Sequence, residues 1–283
     1  MNESQQPTVA ALWETASGLI DAVHRMEFRR AQRYVVPEGP LETLLDVFGV
    51  GGLVPLLHTH ITGGGHYPSR MAMAGPDEAF LEVGRCTDAQ QPRETTWAHT
   101  SLRVLRAPDA GWLVADLRPV PLGDPFSRHT LEQALAQESG DTTVLKLLVG
   151  RLYMKPRKNA TLDVVETLLV DGMPKAQFGL LEQVRALALW RTYQHEGGDF
   201  DEDNAPAWAA AIEQIVANLN GRHLSTKRAA KMYEVSDSAV DERRMTLVTT
   251  LAIQDMDPRY TVFDPAPPGN GRSPAPVAAD HRD

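Results

Sequence analysis

The sequence predicts an α+β fold, with an N-terminal antiparallel sheet and packed helices followed by an all-helical domain. Three observations carry this. Residues 67–120 read with a strand period of two and are broken by two turn signals, Gly75-Pro76-Asp77 and Ala107-Pro108-Asp109-Ala110-Gly111. Before that stretch, and again after residue 140, apolar residues recur at helical spacing. Between them, Pro121, Gly123, Pro125 and Gly140 interrupt the chain. With 283 residues, 42% of them apolar, the chain has length for two ordinary domains and enough apolar content for real cores.

Charge and cysteine usage narrow the function classes. A net charge of −9 argues against a protein that coats nucleic acid generally, because such binding starts from a basic surface. It leaves room for a local basic face. The single cysteine, Cys86, excludes an internal disulfide and fits a reducing compartment. The opening MNESQQPTVAALWE has no basic run followed by an apolar one, so no signal peptide is expected. No stretch approaches the roughly 20 apolar residues of a membrane span. The expectation is a soluble cytoplasmic protein with no membrane partner. The excess of Arg over Lys, with the Ala and Pro usage, is that of a GC-rich bacterial genome.

The elements follow in order. Pro7 and Thr8 open a helix in which Leu12, Ala16, Leu19, Ile20, Val23 and Met26 share one face. It is expected to reach about Arg33, with Arg25, Arg29, Arg30 and Arg33 near its end, where cations suit the helix dipole. Pro37, Gly39 and Pro40 then break the chain. Residues 41–48 and 53–58 read as two short helices around Gly49, Gly51 and Gly52. Four strands follow, over 67–74, 79–86, 95–106 and 112–120, the last two forming the clearest hairpin.

One long helix, two short ones and a curled antiparallel sheet whose last strand opens Gly-Trp-x-Val, Gly111 to Val114, together resemble the cystatin-like roll of the nuclear transport factor 2-like superfamily. The likeness spans residues 8–121. It implies a conical pocket, in which some members use a His–Asp pair for acid–base chemistry while many others are not enzymes. His99 and Asp116 are the candidates for that pair. A hairpin that sets Arg106 opposite Trp112 puts Leu102 opposite Asp116 and His99 opposite Pro119. The pair then points to opposite faces unless a one-residue bulge intervenes.

His58, His60 and His66 form a possible metal cluster, since imidazoles two apart on a strand share a face and suit zinc or nickel. No carboxylate or thiol in the stretch completes the set. The triplet Gly63-Gly64-Gly65 lacks the Lys and Ser or Thr of a phosphate-binding P-loop. A flexible connector with exposed histidines is the simpler reading, and no cofactor is expected.

Residues 122–140 read as a linker, with a short polar helix over 131–138. Val144, Leu145, Leu148 and Leu152 form a stripe beyond it. Arg151, Lys155, Arg157 and Lys158 are the densest basic run, a phosphate-contact candidate whose plain reading is an inter-helix loop. Helices are expected over 162–170 and 177–194. Asp199, Asp201 and Asp203 alternate like a calcium loop, but Asn204 stands at the sixth position and Ala210 at the twelfth, which rejects an EF-hand. An acidic loop leading to a helix near Pro206 remains. Residues 264–283, rich in Pro, Gly and Ala, read as a disordered tail.

Residues 207–251 hold the most recognisable signature. A helix from Trp208 leads to two short helices joined by a tight turn. Ser225 and Ser236 suit the two N-caps. Ala229 and Ala230 permit close approach, and Val240, Leu247, Val248 and Leu251 give the last helix a buried stripe. The block RAAKMYEVSDSAV resembles bacterial helix-turn-helix proteins. With the preceding WAAAIEQIVANLNGRHLS it is also similar to the cyclin-like repeat of transcription factor IIB. The resemblance implies phosphate contacts from Arg222, Lys227, Arg228 and Lys231, with Arg243 and Arg244 further along the second helix. Two features depart from the family. Glu234 stands where a left-handed Gly is usual, at about 1 kcal/mol if the conformation is kept. The residues expected to face a groove are Ser236, Asp237, Ser238, Asp241 and Glu242, and three of these five are repelled by phosphate.

These readings favour a non-enzymatic bacterial regulatory protein. Its all-helical domain, residues 141–262 with the helix-turn-helix at 225–251, would touch duplex DNA or a transcription protein. The roll would sense a small ligand or form a homodimer. The alternatives are a small-molecule enzyme of isomerase, dehydratase or hydrolase type using the pocket of the roll, and a protein-interaction module without DNA binding.

Overall fold

A computed structural model describes residues 9–60, 63–120 and 154–262. It is α+β: a four-stranded antiparallel sheet stands in the N-terminal half, and all described secondary structure after residue 153 is helical. The expected linker over 122–140, the stripe from Val144 to Leu152, Arg151 and the tail at 264–283 lie outside the described residues. No described helix is long and apolar enough to cross a membrane.

Helix α1 (Val9–His24) buries Leu12, Ala16, Leu19, Ile20 and Val23 on one face. It stops short of the expected Arg33. Met26 adopts φ 58°, the Glu27 N–H reaches the Ala22 carbonyl at 2.9 Å, and a separate helix α2 (Phe28–Gln32) begins. The break lets Arg30 fold back to Asp21 at 2.8 Å and Glu27 at 3.0 Å, so part of the basic cluster is neutralised locally. Helix α3 (Pro40–Phe48) starts on Pro40, whose missing N–H is no loss there. It ends at Gly49, whose φ of 72° turns the chain into a 3-10 turn (Val50–Gly52) and then α4 (Leu53–Leu56).

The strands are β1 (Gly65–Gly75), β2 (Glu78–Cys86), β3 (Thr96–Ala107) and β4 (Gly111–Val120), in spatial order β1-β2-β3-β4. One face carries Ala79, Leu81, Val83, Ala98, Leu102 and Val104. All but Ala98 join Leu12, Leu19, Leu44 and Phe48 in a shared core. The free edge of β4 is met by the segment after α2, where Val36 N–H donates to the Val114 carbonyl and Val114 N–H to the Tyr34 carbonyl.

The hairpin register departs from the expected one. Arg106 pairs with Trp112 and Val104 with Val114 as expected, but Arg103 pairs with Asp116, which leaves Ala115 as an extra residue. This bulge slips every later pair: Leu102 meets Leu117, and His99 meets Val120.

The first described helix of the second half is α5 (Val164–Gly172), closed at its start by a capping box between Asp163 and Glu166. Helix α6 (Leu180–His195) is buried on nearly all sides, and its Trp190 donates to the Asp163 carboxylate at 2.6 Å. Trp190, Tyr193, Phe200 and Trp208 pack together as one aromatic group. An acidic turn at Glu202–Asn204, capped by Asp201, leads into α7 (Ala205–Leu219). Helices α8 (Thr226–Met232) and α9 (Asp237–Thr250) follow and are the last helices among the described residues. Most of the buried apolar residues of both halves form one contiguous cluster.

Polar ties join the halves. Asp116 accepts from Arg185 of α6 and Arg118 of β4, Arg118 also donates to the Pro258 carbonyl, and Arg191 bridges Asp46 and Glu166.

Candidate nucleic-acid interface

Helices α7, α8 and α9 form a trihelical unit, and its turn is built from local chemistry. The Ser225 hydroxyl accepts from Arg228 N–H at 3.4 Å, and the Ser236 hydroxyl accepts from Ala239 N–H at 3.2 Å, so each short helix has a side chain on an otherwise orphan amide. Glu234 takes φ 56°, the left-handed conformation, and the next amide, Val235 N–H, donates to the Ala230 carbonyl at 3.0 Å. Ala229 and Ala230 are buried where α8 meets its neighbours, and Val240 and Leu247 anchor α9.

The six cations proposed for phosphate contact fall into two groups. Arg222 is held by Glu182 at 3.1 Å, donates to the Gln177 carbonyl at 2.7 Å, and stacks 4.3 Å from the Phe178 ring centre. It is a wall of the fold. Arg243 pairs with Glu242 at 3.1 Å and lies 5.1 Å from the Trp208 ring centre, and Arg244 pairs with Asp241 at 3.4 Å. Lys227, Arg228 and Lys231 are exposed along α8, with no ion-pair partner among the described residues. Beside them Ser236, Asp237, Ser238, Asp241 and Glu242 are all exposed. The unit therefore shows a basic helix next to an acidic one.

Of the second basic run, Lys155 and Lys158 are exposed, but Arg157 is not available to a phosphate. Its guanidinium donates to the Asp46 carbonyl and lies 4.7 Å from the Phe28 ring centre, which fastens residues 154–158 to the N-terminal half.

His99 and Asp116 are not brought together. The bulge does turn Asp116 to the face His99 occupies, but Asp116 pairs with Arg103, four residues along β3 from His99, which is roughly 13 Å along a strand. His99 Nδ1 sits 3.2 Å from Glu82, and burial lowers the imidazole pKa while that carboxylate opposes the shift. Asp116 is committed to Arg185 and Arg118.

The three histidines also part company. His58 lies in the turn after α4 with φ 54°, not on a strand, and is buried, whereas His60 is exposed. His66, on β1, has Nε2 2.7 Å from the Leu57 carbonyl. Burial drives the His58 pKa down to about 3 and lowers that of His66. Among the described residues no group of three His, Cys, Asp or Glu side chains is placed to hold a metal ion. The glycine triplet wraps a cation of the protein's own: the carbonyls of Gly63 and Gly65 accept from the buried Arg85 guanidinium.

One polar feature escaped the sequence reading. Glu213 of α7 is fully buried, and its Oε2 accepts from the Tyr233 hydroxyl at 2.6 Å. Burial raises its pKa to about 6, against the lowering effects of Tyr233, Arg222 and Arg228. Gly172, at the end of α5, leaves the room that Tyr233 uses: a Cβ there would stand 2.7 Å from the Tyr233 hydroxyl. The signal was present in WAAAIEQIVANL, where an acid interrupts an otherwise small and apolar helix. Comparison with protein-family models, curated proteins and solved structures finds no match.

Proposed function

We propose that the chain is a non-enzymatic regulatory protein whose trihelical unit docks, in the manner of a helix-turn-helix, on a protein of the transcription machinery. The observation that carries this is the charge pattern of α8 and α9. Arg222, Arg243 and Arg244 are occupied by Glu182, Glu242 and Asp241, while Asp237, Asp241 and Glu242 occupy the surface that would enter a DNA groove. Adjacent basic and acidic helices complement a protein surface of mixed charge, and carboxylates on the leading helix oppose a phosphate groove. The separation of His99 from Asp116 supports the non-enzymatic part of the reading.

Direct contact with duplex DNA is the second reading, favoured by the exposed Lys227, Arg228 and Lys231. Salt-dependent binding of the full chain to mixed duplex DNA separates the two. Absence of binding at low salt is the outcome expected for protein docking. Affinity that falls with a log–log slope near 3 would mean that about three phosphates are neutralised, and would move the assignment to DNA.

A further inference from the structure

A cavity of about 350 Å³ lies between the α5–α6 connector, α7 and α8. That volume is within the range of small-ligand sites. Its wall includes Phe178, Glu213, Arg222, Leu224, Arg228 and Met232. Glu213 is wholly buried, and its Oε1 has no hydrogen-bond partner among the described residues, although Oε2 is held by Tyr233. A buried acceptor without a donor is the kind of group that calls for explanation.

The charges around the cavity balance. Glu182 already neutralises Arg222. That leaves one carboxylate, Glu213, and one guanidinium, Arg228, close enough that each feels the other's charge. Phe178, Leu224 and Met232 supply apolar wall between and around them. A ligand suited to this lining carries no net charge, has opposite charges at its ends, and has a hydrocarbon middle. Met232, 40% exposed, is an unbranched, adaptable side chain in the same wall.

We propose that this cavity binds a small zwitterion, with an ammonium or other N–H donor against Glu213 Oε1, an apolar spine along Phe178, Leu224 and Met232, and a carboxylate toward Arg228. The site is walled by α7 and α8 of the trihelical unit and shares Arg228 with its basic face, and a zwitterion titration reads it whether the unit docks on protein or on DNA.

Calorimetric titration of the full chain with 6-aminohexanoate tests it, with hexanoate and hexylamine as half-ligands. The zwitterion is expected to bind saturably, and each half-ligand about tenfold more weakly, the worth of one charge-assisted contact. Arg228→Gln is expected to weaken 6-aminohexanoate and hexanoate by about tenfold and to leave hexylamine unchanged. Glu213→Gln is expected to show the complementary pattern. Binding of the zwitterion is also expected to fade as pH falls through about 6, where Glu213 gains a proton. Arg228 is exposed, so its variant and the pH series stand even if Glu213→Gln does not fold. The absence of saturable heat at millimolar probe, half-ligands that match the zwitterion, or an Arg228→Gln protein that binds like the parent would each overturn the proposal.

Discussion

Arg185 Nη2 stands 2.7 Å from both carboxylate oxygens of Asp116, and through this contact α6 grips β4. Both side chains are almost wholly buried. Asp116→Ala takes the carboxylate away from two buried guanidiniums and is expected to cost about 3–5 kcal/mol in urea unfolding. The double variant Asp116→Leu with Arg185→Met is expected to recover part of that loss. A cost for Asp116→Ala below about 1 kcal/mol, typical of a surface pair, would show that the contact does not hold the halves together.

The turn of the trihelical unit predicts a gain. Glu234 is exposed and left-handed, a conformation that glycine adopts without a Cβ clash. Glu234→Gly is expected to raise stability by up to about 1 kcal/mol. Thermal unfolding reads this directly, and a lower midpoint would count against it.

Gly172 predicts a loss by the opposite logic. In a helix, Gly→Ala ordinarily gains about 1 kcal/mol. Here the new methyl would press on the Tyr233 hydroxyl and push it off Glu213. Gly172→Ala is expected to destabilise by about 1–3 kcal/mol, and Tyr233→Phe in the same chain to relieve much of the strain. Additive losses in the two variants would rule out the clash as the cause.

His58 and Glu213 give stability two opposing pH limbs. The His58 imidazole resists protonation down to about 3 when folded, against 6.5 ordinarily, so its contribution is full above pH 6.5 and is lost as pH falls toward 3. The Glu213 pKa is raised from 4.5 to about 6, so its contribution is full below pH 4.5 and is lost as pH rises through 6. The second limb is worth about 2 kcal/mol. Glu213→Gln is expected to flatten it, and His58→Asn, a residue that tolerates left-handed backbone, to flatten the first. Unfolding free energies across pH 4 to 8 measure both, and parallel curves for parent and variants would refute the assignments.

If the basic face of α8 meets DNA, changing Lys227, Arg228 and Lys231 together to Ala should weaken duplex binding equally across sequences and reduce the salt slope by about 3. Asp237→Asn with Asp241→Asn should strengthen it. Under the protein-docking reading neither set alters duplex affinity, and filter binding at low salt decides between them.

Much of this architecture was legible because it is written locally. Gly75-Pro76-Asp77 and the segment ending in Gly111 mark turns by their own backbone preferences, and Ser225 and Ser236 cap helices that begin beside them. The left-handed backbone at Glu234 was suggested by the helix-turn-helix resemblance, which puts Gly at that position. The bulge at Ala115 was not, because nothing in Val-Ala-Asp distinguishes a bulged residue from a paired one. Nor was the fate of Arg222, whose partner Glu182 is remote in sequence and near only in the fold. Lys227, Arg228 and Lys231 do lie on α8 and Arg243 and Arg244 on α9, but Arg222, expected on the first of these helices, lies in the connector before it, and the fold decides which cations are already engaged.

The simple strand order has a consequence in time. Each strand of β1-β2-β3-β4 pairs with its immediate chain neighbour, and the helices from α7 to α9 also follow one another, so the sheet and the trihelical unit each need only short closures to assemble. The ties between halves span far more chain: 69 residues separate Arg185 from Asp116, and 140 separate Arg118 from Pro258. Closing loops of that length carries an entropic penalty that local hairpins avoid. The sheet and the trihelical unit are therefore set to form early in refolding, with their engagement through Asp116 as the late, slow event.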